Sequence, residues 1–325
     1  MDPSKYGVSS IPLNHAPYGP ITDDKLKGLN QGKVALVTGG ARVWVVGIGR
    51  AISQKLALSG ANVAIVDRLQ DELTETKALC EKYGVTAKTY VVDVTDVEAL
   101  RAALKRVEED LGPIDILVNN AGVSPGKPQW MESFEEFWRT IEINFKSAMV
   151  TTWALLAQFR ERRSGVIINI SSRAATVDMP FSTGYTSSKA AVARATSTLQ
   201  EEIELDGLGD AIQMYALHPG GVLTAMAKNL QGGRKTAELR AEILEKYPSL
   251  EQQRTKFHAL FKDPPELCGA TCAYLASGGA KELRGMYWDC RQDIERVVGY
   301  GRERLVKEGK NVLTIGFVDG YENEP

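Results

Sequence analysis

Apolar residues along this chain come in short bursts separated by longer stretches of helical period. "KVALVTG" (33–39), "NVAIVDR" (62–68), "AKTYVVDV" (87–94), "IDILVNNAG" (114–122), "GVIINISS" (165–172) and "AIQMYALHPG" (211–220) are strand-like. Between the first few lie helical patterns at 47–60, 71–84 and 97–112, each ending in Gly. Runs that are apolar at nearly every position suit strands buried on both faces. The alternation predicts an α/β architecture, a doubly wound parallel sheet of about seven strands with helices on both faces. "RGMYWDC" (284–290) reads as the last strand, and no repeat or linker divides the chain.

The first strand-to-helix junction reads "LVTGGARVWVVGIGRA" (36–51), with glycines at 39, 40, 47 and 49. In a doubly wound sheet this turn holds a dinucleotide. Glycine allows close backbone approach, and the pyrophosphate sits at the helix N-terminus. An acid about twenty residues on should close the second strand. Counted from Gly47, that place is Asp67. The surplus is therefore confined to Val43–Val46, and without it the loop reads "TGGARGIGRA".

Composition narrows the class. A net charge of −2 recruits neither nucleic acid nor an anionic membrane, and no apolar run reaches the roughly 18 residues of a membrane helix. The first 30 residues, rich in Pro, Gly and Asn, lack the pattern of a secretion signal. They read as a surface arm (1–31). Four cysteines, Cys80, Cys268, Cys272 and Cys290, make no dense framework, which points to a reducing cytoplasmic setting. Cys268 and Cys272 read as buried small residues, and no metal site is expected.

Together with segments further along the chain, the loop resembles the short-chain dehydrogenase/reductase family over roughly residues 32–290, in the shorter branch marked by NNAG and YxxxK. The family's loop pattern is TGxxxGxG. Its further motifs appear here in the family's order: Asp93–Val94, "NNAG" (119–122), Asn144, Ser172, "YTSSK" with Tyr185 and Lys189, and "PGGVLT" (219–224). The resemblance implies a Rossmann-type catalytic domain. It places the cofactor on Gly39, Arg42, Gly47, Ile48, Gly49, Asp67, Arg68, Asp93, Val94, Asn120, Ala121, Gly122, Tyr185, Lys189, Pro219, Gly220, Val222 and Thr224. Substrate is expected at Ser124, Ala174, Met179, Phe181 and Met226. These positions are mostly apolar, which suits an apolar ketone or secondary alcohol.

Tyr185 and Lys189 are spaced i, i+4, on one face of a helix. An ammonium beside a phenol favours the phenolate, so Tyr185 is the expected general acid/base. By resemblance, Lys189 also reaches the nicotinamide ribose, Ser172 positions the substrate oxygen, and Asn144 holds a water in a proton relay. Asp67 favours NAD, since a carboxylate accepts from ribose hydroxyls and repels a 2′-phosphate. Arg42 and Arg68 keep NADP as the alternative. His218 is expected to be structural, and His15 and His258 to be exposed.

Residues 225–263 are charged, with an apolar stripe of Leu239, Ile243, Leu244 and Tyr247. They are read as a substrate lid hinged at Gly232–Gly233. Residues 291–325 form a C-terminal extension. Small residues after Tyr185 (Ala190, Ala191, Ala193, Ala195) would admit a second helix, and family members pair there, so a homodimer or homotetramer is expected. The expected activity is NAD(P)-dependent interconversion of a secondary alcohol and a ketone on a small molecule. Two alternatives remain. One is a nucleotide-sugar epimerase or dehydratase of the longer branch. The other is a non-redox isomerase, cyclase or binding protein on the same scaffold.

Overall fold

The computed structural model describes residues 9, 11–41, 47–224, 226, 233–249, 259, 261–311 and 313, with only the backbone of 233–237, 239 and 240. Arg42, Val43–Val46, Gly232, His258, most of the tail beyond 311 and the Leu239 side chain lie outside this description.

Seven parallel strands form one sheet in the order β3-β2-β1-β4-β5-β6-β7. They are β1 (Val34–Thr38), β2 (Asn62–Asp67), β3 (Ala87–Val91), β4 (Ile116–Asn119), β5 (Gly165–Ile170), β6 (Ile212–His218) and β7 (Tyr287–Asp289). Every pairing is parallel, with Ala35 opposite both Val63 and Ile116. Successive strand residues point to opposite faces. Accordingly Ala35, Val37, Ile116 and Val118 enter one core, while Val34, Leu36 and Leu117 enter the other. This double burial is why the strands read as unbroken apolar runs.

The first core is covered by α2 (Ile48–Leu58), α3 (Gln70–Glu81) and α9 (Pro265–Ala276), the second by α4 (Val97–Leu111), α6 (Ser147–Arg162) and α7 (Thr183–Leu205). Gly269 lets α9 lie directly on α2, because a Cβ there would come within 2.6 Å of the Ala51 carbonyl oxygen. Between β4 and β5, α5 (Phe134–Ile141) runs through a π turn (Glu142–Lys146) into α6. The remaining α-helices among the described residues are α1 (Asp23–Leu26), α8 (Gly233–Lys246), α10 (Ile294–Val298) and α11 (Arg302–Lys307).

The arm is more than a surface strap. Ile21 and Leu26 are fully buried in the first core, as are Ile294 and Leu305 from the C-terminal extension. Apolar side chains at both ends thus complete a core that the central domain leaves open. Cys268 and Cys272 are fully buried, and the neighbouring Cys272 thiol together with burial pushes Cys268 well above the usual thiol range.

Candidate active site

The C-terminal ends of β1, β4, β5 and β6 converge on the same edge of the sheet. Gly39 comes directly after β1, with φ +69°. A Cβ there would sit 2.8 Å from Ala121 Cα, and one on Gly49 would sit 2.3 Å from the Gly39 carbonyl oxygen; only glycine permits such approaches. Thr38 Oγ1 accepts from the N–H groups of Asn120 and Ala121, both at 3.1 Å. Asn120 Nδ2 donates to the carbonyls of Thr38 and Gly39 at 3.0 and 2.9 Å. The segment after β4 is thereby stapled to the glycine turn.

Helix α2 starts behind Gly47 with no side-chain cap and no acid in its first turn, whereas Asp96 caps α4 and a Ser133–Glu136 capping box closes α5. An uncapped N-terminus presents amide donors and positive dipole to an anion. The residues present therefore fit a dinucleotide's pyrophosphate.

At the tip of β2 the Asp67 carboxylate has a fixed aim. Oδ2 accepts from Ala41 N–H at 3.1 Å, and Oδ1 accepts from Arg68 and Leu69 N–H at 2.7 and 3.3 Å. Arg68 is exposed. Asp93 accepts from the Thr95 N–H and hydroxyl and pairs with Arg139 of α5 at 2.7 Å. Burial pushes the Asp93 carboxyl up, but Thr95 and Arg139 together outweigh it and hold it below the ordinary range. The Arg139 contact is not legible from spacing, because the pair is 46 residues apart. Val94 is buried.

The Ser172 hydroxyl accepts from Ala174 N–H at 3.1 Å, and its nearness to the Tyr185 phenol favours the phenolate. Burial is the larger influence and raises the Tyr185 phenol above its usual value. Lys189 is 4% exposed, and its Nζ donates to the Ile170 carbonyl at 2.7 Å and lies 5.8 Å from the Tyr185 ring centroid. Burial draws its ammonium down to about 8. The expected lowering of the phenol by Lys189 is thus not what dominates here: desolvation acts on both groups, and the phenol keeps its proton at neutral pH. A Cβ on Gly122 would lie 3.6 Å from Lys189 Nζ, which places the lysine at the mouth of the nucleotide cradle.

Asn144 lies in the π turn. Its Oδ1 accepts from Val123 N–H at 2.8 Å, and its Nδ2 donates to the Val123 carbonyl and Ser188 Oγ at 2.9 and 3.0 Å. Both amide protons are occupied, so this side chain braces the segment after β4. His218 is buried, and its Nδ1 accepts from Arg173 N–H at 3.2 Å; burial draws it down to about 4, so it is neutral.

On the substrate side, Ser124, Met179, Phe181 and Met226 are partly exposed, whereas Ala174 is 3% exposed and serves Ser172 rather than an open surface. Val222 is buried, and Thr224 N–H donates to its carbonyl at 2.8 Å. Trp130, which no sequence motif marks, joins Phe181 and Tyr247 here. Trp130 Nε1 donates to Tyr247 Oη at 3.3 Å, and the Phe181 and Tyr247 rings lie 5.3 Å apart.

Fold and loop chemistry together define the class: a nucleotide-dependent oxidoreductase on a doubly wound α/β sheet. The family described as short chain dehydrogenase matches residues 33–235. A short chain dehydrogenase of Pseudocercospora fijiensis (strain CIRAD86) is 30% identical over 324 residues, covering 96% of this chain and 99% of the relative. The 2,3-dihydro-2,3-dihydroxybenzoate dehydrogenase of Bacillus subtilis (strain 168) is 34% identical over 213 residues, 65% of this chain and 78% of the relative. A crystal structure of a short chain dehydrogenase from Mycobacterium smegmatis matches with a TM-score of 0.64 at 25% identity, covering 89% of this chain and 99% of that one. The chain belongs to the short chain dehydrogenase family, oxidoreductases that use nicotinamide dinucleotides. No helix among the described residues is long and apolar enough to cross a membrane.

Proposed function

We propose that this protein interconverts a secondary alcohol and a ketone on a mainly apolar small molecule, with NAD(H) as cofactor. The observation that carries the reading is the Tyr185 phenol, beside an oriented Ser172 hydroxyl and one helical turn from the buried Lys189. A nicotinamide bound at this edge supplies or accepts the hydride. In ketone reduction, Tyr185 Oη gives its proton to the carbonyl oxygen, which Ser172 Oγ holds in place. Lys189, still largely protonated at pH 7, then stabilises the phenolate. Alcohol oxidation runs the same proton path in reverse. Asn144 is a positioning residue that keeps Val123 and Ser188 in place around it.

Asp67 supports NAD over NADP, because its carboxylate is fixed by three backbone amides where a 2′-phosphate would meet it. Fluorescence titration is expected to show NADH binding about tenfold or more tighter than NADPH, and Asp67→Ser should narrow that gap. Equal affinities would overturn the NAD assignment. Failure of a panel of apolar ketones to oxidise NADH would overturn the reaction.

The aromatic cluster supports a lid over residues 225–263. Phe181 is held at φ +66°, a conformation costing a bulky residue about 1–3 kcal/mol. Lys246 Nζ lies 4.0 Å from the Trp130 ring centroid. These contacts join the end of α8 to the segments beyond β4 and β5. Tyr247→Ala is expected to raise the ketone KM about 5- to 50-fold with little change in kcat; an unchanged KM would remove the lid from this reading. Trp153, Phe134 and Trp138 are exposed at 62%, 69% and 49% on α5 and α6. They support a homodimer or homotetramer; of the small residues of α7, Ala193 is buried against Ala175 and Ala216 with Ala190 packed beside it, so these two face the chain's own core rather than a second helix. Residues 1–31, 32–290 and 291–325 are read as arm, catalytic domain and extension.

A further inference from the structure

His15 and Asp263 both fall outside residues 33–235, the span the family matches, yet they meet at the turn after β6. His15 Nδ1 bonds Asp263 Oδ1, and the Asp263 side chain is fully buried. The other oxygen, Oδ2, accepts from Gly221 N–H at 2.5 Å, while Asp263 N–H donates to the Gly221 carbonyl at 3.0 Å. One aspartate therefore grips both polar groups of Gly221. The neighbouring Gly220 has φ +81°, and a Cβ there would lie 2.7 Å from Asp263 Oδ2. Arg291 Nη1 is 3.8 Å from that oxygen, but its guanidinium is already engaged by Asp289 at 2.7 Å. The His15 bond is thus closer than the Arg291 contact.

The arm that carries His15 is itself tied down. Asn14 donates twice to the Arg291 carbonyl, at 2.8 and 3.3 Å, and Tyr18 Oη accepts from Ile294 N–H at 2.9 Å. A buried carboxylate is costly unless hydrogen-bonded. Its partners here come from the arm and from the turn, so ordering one orders the other.

We propose that the His15–Asp263 pair is a clasp through which the N-terminal arm fixes the Pro219–Gly221 turn, making His15 and Asp263 positioning residues for the nicotinamide end of the cofactor. The link to cofactor rests on the proposed function, in which this turn borders the nicotinamide. The fixing of the turn does not, so the two can fail separately.

The test uses the full chain with His15→Ala and His15→Gln, the second retaining a side-chain amide donor. Hydrogen exchange without cofactor reads the turn directly. In His15→Ala, peptides spanning 219–222 should exchange about tenfold faster, with β1 and β5 unchanged. NADH titration should show Kd raised about fivefold to twentyfold with kcat altered less than about threefold, and His15→Gln should recover much of both. Unchanged exchange at the turn overturns the clasp. Faster exchange throughout the core also overturns it, since His15 would then be an ordinary structural tether. A loosened turn with unchanged NADH affinity overturns the role in cofactor binding, and a wild-type chain that binds no NADH overturns the underlying functional reading while the exchange result still decides the clasp.

Discussion

Tyr185→Phe is expected to lower kcat/KM for ketone reduction by about 10²- to 10⁴-fold, the usual contribution of a positioned general acid. This corresponds to about 3–5 kcal/mol of transition-state stabilisation. The substitution removes one oxygen and keeps the ring, so NADH affinity should change by less than about threefold. The phenol's position explains the size of the effect. Burial raises its pKa, so at neutral pH the proton to be donated is in place. Ser172 Oγ accepts from the Ala174 amide at 3.1 Å, so the serine hydroxyl is oriented rather than free to rotate. Water has no comparable fixed donor at that point. Steady-state turnover and a fluorescence titration on the same preparation check the two halves, and retained turnover would remove Tyr185 from the reaction.

Lys189→Met is expected to abolish most turnover and yet stabilise the fold. Lys189 is 4% exposed, and burial lowers its ammonium to about 8 from 10.5. A shift of this size corresponds to about 3 kcal/mol of desolvation cost carried by the charged form. Below pH 8 the lysine is charged in both folded and unfolded chains, and the whole cost is present. Between pH 8 and 10.5 the unfolded chain binds more protons than the folded one, so wild-type stability rises with pH across that window. Above it both states are neutral. Methionine fills a similar volume without charge, but it forfeits the 2.7 Å bond to the Ile170 carbonyl, worth about 1 kcal/mol. The net gain at pH 7 is therefore about 1–2 kcal/mol, or a few degrees in Tm, while kcat should fall about 10²-fold or more. Denaturation at pH 7 and pH 10.5 checks the sign: the variant should lead at pH 7 and lose that lead at high pH. A lower Tm at pH 7 would show that the lysine is held for the fold rather than at its expense.

Burial on both faces makes the strands legible, since Val34, Ala35, Leu36 and Val37 are all inside. The α5–α6 segment is harder to read. Phe134, Trp138 and Trp153 point outward, so apolar residues lie on more than the core-facing side and blur the helical stripe. The arm reads as surface because Pro, Gly and Asn dominate it, and Ile21 and Leu26 are too few to make a periodic signal. They are nevertheless the residues that enter the core. Asn144 is legible as a position but not as a brace. Both of its partners, Val123 and Ser188, lie on other segments, 21 and 44 residues away.

The sequence by itself determined whatever depends on short-range geometry: strand and helix alternation, the glycine turn, the acid twenty residues beyond Gly47, and a tyrosine and lysine on one helical face. Backbone periodicity fixes such relations wherever the chain folds. Only the tertiary structure decided which of these groups would be dry and what would touch them. Desolvation of Tyr185 and Lys189 depends on every segment packed around them. The bond between His15 and Asp263 spans 248 residues, a separation at which no local pattern carries information about contact.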